Sequence, residues 1–163
     1  MNNFPFKLLV LCCALVFFSC SSNENELIDS TSDSTVSIEE KSIENEILDL
    51  INDYRLSKGL STLKKLEAIK SQTYNHTMYM IKKKELSHDF FHDRKDYLVE
   101  NTNAIKVAEN VAYGYSTAES VVNGWIKSEG HRKNIEGDFT HFEVTAEKNT
   151  GGTWYYTNIF VKK

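Results

Sequence analysis

Apolar residues recur at helical spacing twice in the first half of the chain. Ile43, Ile47, Leu50, Ile51 and Tyr54 share one helix face; Ser37, with Glu40 three residues on, predicts the start of that helix, and Gly59 predicts its end. A second helix is predicted from about Leu66 to Lys83, with Ile69, Thr73, His76 and Met80 on one stripe. In that position His76 reads as a hydrogen-bonded helix histidine. Between Asp93 and Val107 the pattern supports only one short helix around Tyr97. Ser116 and Glu119 open a third clear helix, whose apolar face is Val121, Val122, Trp125 and Ile126, with Trp125 as a core residue; Gly130 breaks it just before His131. The period then drops to two. Phe142 to Glu147 and Trp154 to Val161 are predicted strands, joined as a hairpin through Asn149, Thr150, Gly151 and Gly152. Helices flanking a small antiparallel sheet define an α+β fold, and no internal repeat is present.

The ends of the chain have a different composition. Lys7 precedes an almost wholly apolar run from Leu8 to Phe18, and Phe17, Phe18, Ser19, Cys20 read as a lipobox, with a small residue before the cysteine. The run is too short to span a bilayer core, which takes about 20 residues. Residues 1–19 are therefore expected to be a lipoprotein signal peptide and Cys20 the lipidated residue. Cys12 and Cys13 lie inside the apolar run, so a chain cut before Cys20 keeps only the anchor cysteine and forms no internal disulfide. Its stability then rests on a hydrophobic core, which about 120 residues suffice to build.

Charge separates a tether from a domain. Residues 21–40 carry six acidic groups and no basic one, amid Ser, Thr and Asn, so residues 20–40 are expected to be an acidic flexible tether. Residues 41–163 keep 18 of the 19 Lys and Arg and 17 of the 23 Asp and Glu, a net charge of +1. A near-neutral domain gives no electrostatic footprint for nucleic acid. The basic triplet Lys82, Lys83, Lys84 suits the end of a helix.

The richest stretch runs Trp125, Ile126, Lys127, Ser128, Glu129, Gly130, His131, Arg132, Lys133, Asn134, Ile135. Upstream stand Glu109, Asn110, Val111, Ala112, Tyr113, Gly114, and before them Ser87, His88. With Asn52, Arg55, Gly59, Leu60 and Leu63 at the start and the aromatic run Tyr155 to Phe160 at the end, these motifs resemble the bacterial branch of the CAP superfamily, the SCP-like extracellular domains, across residues 43–163. The resemblance implies a three-layer α-β-α sandwich, a place in the bacterial cell envelope outside the cytoplasm, and a cleft between two histidines. It puts His88, Glu109 and His131 on the family's cleft positions, with Ser128 and Asn110 as secondary candidates. The chain departs from the family pattern in three places. Ser128 stands where eukaryotic members carry a second acidic residue, Glu129 replaces a usual proline, and Glu143 replaces a usual glycine, a change expected to alter the rim.

Two imidazoles and a carboxylate can hold zinc with a fourth position open to water, so His88, Glu109 and His131 are candidate metal ligands as well as ligand-binding groups. The competing reading is structural: Glu109 receives turn amides, while His131 and Arg132 hold a helix end on the sheet. Ser128, a histidine and Glu109 also contain the types of a serine hydrolase triad, without a Gly-x-Ser-x-Gly elbow. No cysteine is available as a nucleophile. The leading expectation is an envelope-anchored CAP-domain lipoprotein, attached to a membrane through Cys20 and monomeric. Its His/Glu cleft binds a divalent cation such as zinc or a small or extended ligand, without turnover. A metal-assisted hydrolase acting on peptides or envelope components, and a lipid- or sterol-binding module, are the alternatives.

Overall fold

The computed structural model describes residues 41–163, all within one compact unit. Helix α1, Ser42–Ser57, starts after an extended Lys41, whose N–H donates to the Glu44 carboxylate. The Ser37–Glu40 pair lies outside the described residues. Ile47, Leu48 and Ile51 are buried on one face of α1, and Gly59 follows its end at φ +72°, a conformation that glycine adopts without strain. Beyond this turn Asn52 exchanges two hydrogen bonds with the Leu63 backbone. The buried Arg55 donates to the carbonyls of Ser61, Ile135 and Gly137. These motif residues fix where the chain leaves the helix.

Helix α2, Glu67–Lys83, matches its sequence signal, and Lys84 ends it in the left-handed conformation. Helix α3, Phe91–Thr102, is longer than the short helix expected around Tyr97. Then comes strand β1, Lys106–Tyr113, which the sequence pattern did not mark. Its centre is Glu109–Asn110, a polar pair that interrupts the apolar alternation, and Ala108 and Ala112 contribute little hydrophobic signal. Helices α4, Ala118–Lys127, and α5, Glu129–Ile135, precede strands β2, His141–Lys148, and β3, Trp154–Lys162.

Two local expectations are corrected here. The cap of α4 is Thr117, whose hydroxyl accepts the Ser120 N–H while the Ser120 hydroxyl accepts that of Thr117. The expected Ser116 lies one residue too early. The break between α4 and α5 is at Ser128, which is extended (ψ 120°), and Gly130 sits inside α5. Arg132 explains the shift, because its guanidinium donates to the Ile126 carbonyl and satisfies the end of α4 from the next helix.

The sheet order is β1-β3-β2, antiparallel throughout. Alternation sends Tyr156 and Phe160 of β3 into one core with Ile47, Ile51, Val121 and Trp125, and sends Ile159 and Val161 into another with Ile69 and Leu98. The central strand is thus covered on both sides, and its burial is nearly continuous. The fold is α+β, a small antiparallel sheet between α1, α4 and α5 on one face and α2 and α3 on the other. Glu143, expected at the cleft rim, is buried in β2, at the far edge of the sheet from β1.

Candidate functional site

Glu109 organises the site. Strand alternation points its side chain to the α2–α3 face, where the side chain is only 1% exposed. Arg94 of α3 grips both carboxylate oxygens, Nε to Oε2 at 2.8 Å and Nη2 to Oε1 at 2.8 Å. A buried fork-to-fork pair of this kind fixes orientation as well as charge. His88 adds its Nδ1 to Oε1 at 2.8 Å, and His76 Nε2 lies 3.9 Å from the same oxygen.

The neighbours of Glu109 also hold the segment that presents His88. His76 Nε2 donates to the Ser87 carbonyl at 2.7 Å, and Arg94 Nη1 donates to the Asp89 carbonyl at 2.7 Å. The backbone is thereby clamped on both sides of His88. Asp89 carries further bonds from Tyr79 and Lys83, at 2.7 Å each. His88 keeps a side chain 54% exposed, with Nε2 free to face the cleft while Nδ1 is fixed on Glu109.

His131 arrives from the other face of the sheet, on α5. Asn110 donates to its carbonyl at 3.1 Å, and Asn134, one turn on, donates to Asn110 Oδ1 at 2.8 Å and to the Glu109 carbonyl at 3.3 Å. Burial holds the His131 imidazole below its ordinary pKa, and the neighbouring His88 acts in the same direction. Burial likewise lowers that of His76. Between the two faces, His88, Phe91, Val107, Ala108, Glu109 and Asn134 line a cavity of about 300 Å³.

His88 and Glu109 are therefore bonded directly, and His131 lies beside His88. Asn110 orients α5 rather than offering its side chain to a ligand. Ser128 forms the junction between two helices, its backbone bonded to Gly124 and Arg132, and takes no part in a triad with a histidine and Glu109. A zinc ion coordinated by Glu109 would compete with Arg94. Arg94 already neutralises both oxygens of Glu109, and a dication there would face a buried guanidinium. Among the described residues no group of three or more His, Cys, Asp or Glu is placed to hold a metal ion. Sequence reasoning missed Arg94, which lies in the stretch of weakest pattern and belongs to no motif. It read His76 as a hydrogen-bonded helix histidine, as found, without its link to Ser87. Asn134 was visible inside the Gly-His-Arg-x-Asn-Ile segment, though its role was not.

A family model described as CAP, the cysteine-rich secretory protein family, matches residues 48–161. The chain is similar to two Bacillus subtilis (strain 168) proteins. It is 33% identical over 124 residues to the uncharacterized membrane protein YlbC, covering 74% of this chain and 34% of that protein. It is 33% identical over 127 residues to YkwD, covering 74% and 47% respectively. The chain thus spans less than half the length of either relative. An extracellular protein containing an SCP domain from Bacillus anthracis superposes with a TM-score of 0.65 at 27% identity, covering 74% of this chain and 40% of that one. An outer surface protein of Borrelia burgdorferi shares the fold at a TM-score of 0.66 and 17% identity, covering 73% and 91%.

Proposed function

Since this chain belongs to the CAP family of cysteine-rich secretory proteins, we propose that it is an envelope-anchored domain whose cleft binds an extended ligand and releases it unaltered. One observation carries this reading: the carboxylate of the cleft, Glu109, is already committed to a bidentate pair with Arg94. A metal-assisted hydrolase needs that carboxylate as a ligand or a base. Here it instead orients His88, leaving the His88 imidazole and the Asn134 amide as hydrogen-bonding groups of a half-apolar cavity, with the His131 imidazole near His88. A ring nitrogen and a side-chain amide suit the amides and carbonyls of a ligand.

Attachment through Cys20 completes the proposal. Its support is the Phe17 to Cys20 lipobox, and the relative YlbC carries the description of a membrane protein. Among the described residues no helix is long and apolar enough to cross a membrane.

The cleft reading is tested by following the imidazole resonances of His88 and His131 while the protein is titrated with blocked hexapeptides, a long-chain fatty acid and zinc. Peptides are expected to shift both histidines, to be recovered intact by mass spectrometry, and to bind His131→Ala about tenfold more weakly, the loss expected for one or two hydrogen bonds. Peptide cleavage abolished by a chelator would establish the hydrolase instead.

A further inference from the structure

The two edges of the sheet are treated differently. Along β2 the outward-facing edge is covered from Thr140 to Ala146 by partners from three other segments. Lys64 pairs with the Thr140 carbonyl and the Phe142 N–H, Lys70 Nζ donates to the Val144 carbonyl, and Glu44 Oε1 accepts the Ala146 N–H. That edge is closed to any further strand.

On the β1 edge only two outward carbonyls are taken, both in its second half. Gly114 N–H donates to the Trp154 carbonyl, one step past the Tyr113–Tyr155 pair. Bonded residues alternate along an antiparallel strand, so the even-numbered residues of β1 turn their backbone toward β3 and Val107, Glu109 and Val111 turn theirs outward. Asn134 takes the Glu109 carbonyl and Trp125 Nε1 takes that of Val111. Among the described residues the Val107 N–H and carbonyl and the N–H groups of Glu109 and Val111 have no such partner, and Val107 and Glu109 line the cavity between His88 and Asn134.

We infer that this open segment of β1, Val107–Glu109, is a docking edge on which an extended peptide adds a fourth strand inside the cleft. The inference rests on the cleft reading above and names its ligand class. A donor and an acceptor on one residue, with a second donor two residues on, form the pattern that another peptide backbone complements. Phe91, Val107 and Ala108 give the cavity an apolar floor, which suits an apolar side chain on the paired residue. A second copy of this domain is the poorer occupant. The side chains of Trp125 and Asn134 cover the edge beyond Val107, leaving too short a stretch for two folded domains to pair, whereas a single strand can enter.

The full chain, purified in detergent, is titrated with an acetylated, amidated hexapeptide selected from a random library and with copies N-methylated one position at a time. Methylation at the residue facing Val107 is expected to weaken binding by about tenfold, the cost of one lost hydrogen bond, with its immediate neighbours little affected. Hydrogen exchange at the Val107 and Glu109 amides should slow on binding. Val107→Pro removes an outward N–H, a change that edge strands accept, and should cost binding; its thermal midpoint is measured alongside, because the Val107 side chain also packs against Ile159 and Val161. If that variant is destabilised, the methylation series decides. Peptides that shift His88 and His131 but show no position-dependent methylation effect would leave the cleft reading standing and overturn strand pairing. Peptides that shift neither histidine would overturn both, and dimerisation through this edge would overturn the peptide as its occupant.

Discussion

Arg94 decides the chemistry of the cleft although it faces away from it. Its guanidinium pairs with Glu109 and also holds the Asp89 carbonyl, so one side chain fixes both the carboxylate that His88 touches and the backbone that presents His88. Arg94→Met should destabilise the domain by about 3–5 kcal/mol, because it leaves a buried carboxylate without a counter-charge. Urea unfolding measures that loss. His76 makes a second prediction, in pH. Its folded pKa lies below the ordinary value of about 6.5, burial being the main cause, so above that value the group is neutral in both folded and unfolded chains and costs nothing. As pH falls through about 6.5 the unfolded chain takes up the proton first, and stability drops by about 1.4 kcal/mol per unit of pKa separation. Unfolding midpoints should therefore decline between about pH 7.5 and 5, and His76→Gln should flatten the decline. An unchanged slope in that variant would assign the effect to His131 and His141, which are shifted the same way.

At the scale of elements, the two-helix unit α4–α5 carries half of the site. Trp125 is 1% exposed, edge-on to Tyr156, and donates to the Val111 carbonyl. Trp125→Ala should cost about 3–5 kcal/mol through the cavity it leaves. It should also free a backbone acceptor on β1. The opposite edge depends on the buried pair Glu44–Lys70, at 2.8 Å, which ties α1 and α2 to the backbone of β2. Lys70→Met should destabilise by about 3–5 kcal/mol. The double variant Glu44→Leu with Lys70→Met should recover only part of this, since the Val144 carbonyl and the Ala146 N–H lose their partners in both. Full recovery in thermal unfolding would show that those backbone bonds contribute little.

For the whole molecule, the net charge of +1 over residues 41–163 makes electrostatic attraction to a membrane weak, which is why the proposal above assigns attachment to Cys20. Cys20→Ser should move the protein from the membrane fraction to the soluble envelope fraction without altering its unfolding midpoint. A variant that still sediments with membranes would show that another surface binds them. Reductant should leave the midpoint of either protein unchanged, because residues 41–163 contain no cysteine.

Local signals along the chain were enough for α1, α2, α4 and the hairpin: the stripe Ile43, Ile47, Leu50, Ile51 and Tyr54, the stripe Ile69 to Met80, the face Val121 to Ile126, and the alternation of Trp154 to Val161. His88, Glu109 and His131 were legible too, because they stand in motifs. Strand β1 was not, because a strand packed on both faces and centred on Glu109–Asn110 has neither a clean period nor a strong apolar run. It took the folded arrangement to show that Arg94 occupies Glu109, that His76 and Arg94 clamp the carbonyls beside His88, and that the start of β1 is left open while Lys64, Lys70 and Glu44 cover β2. Those outcomes depend on side-chain contacts that join different elements, up to 102 positions apart in the chain, which no local pattern encodes.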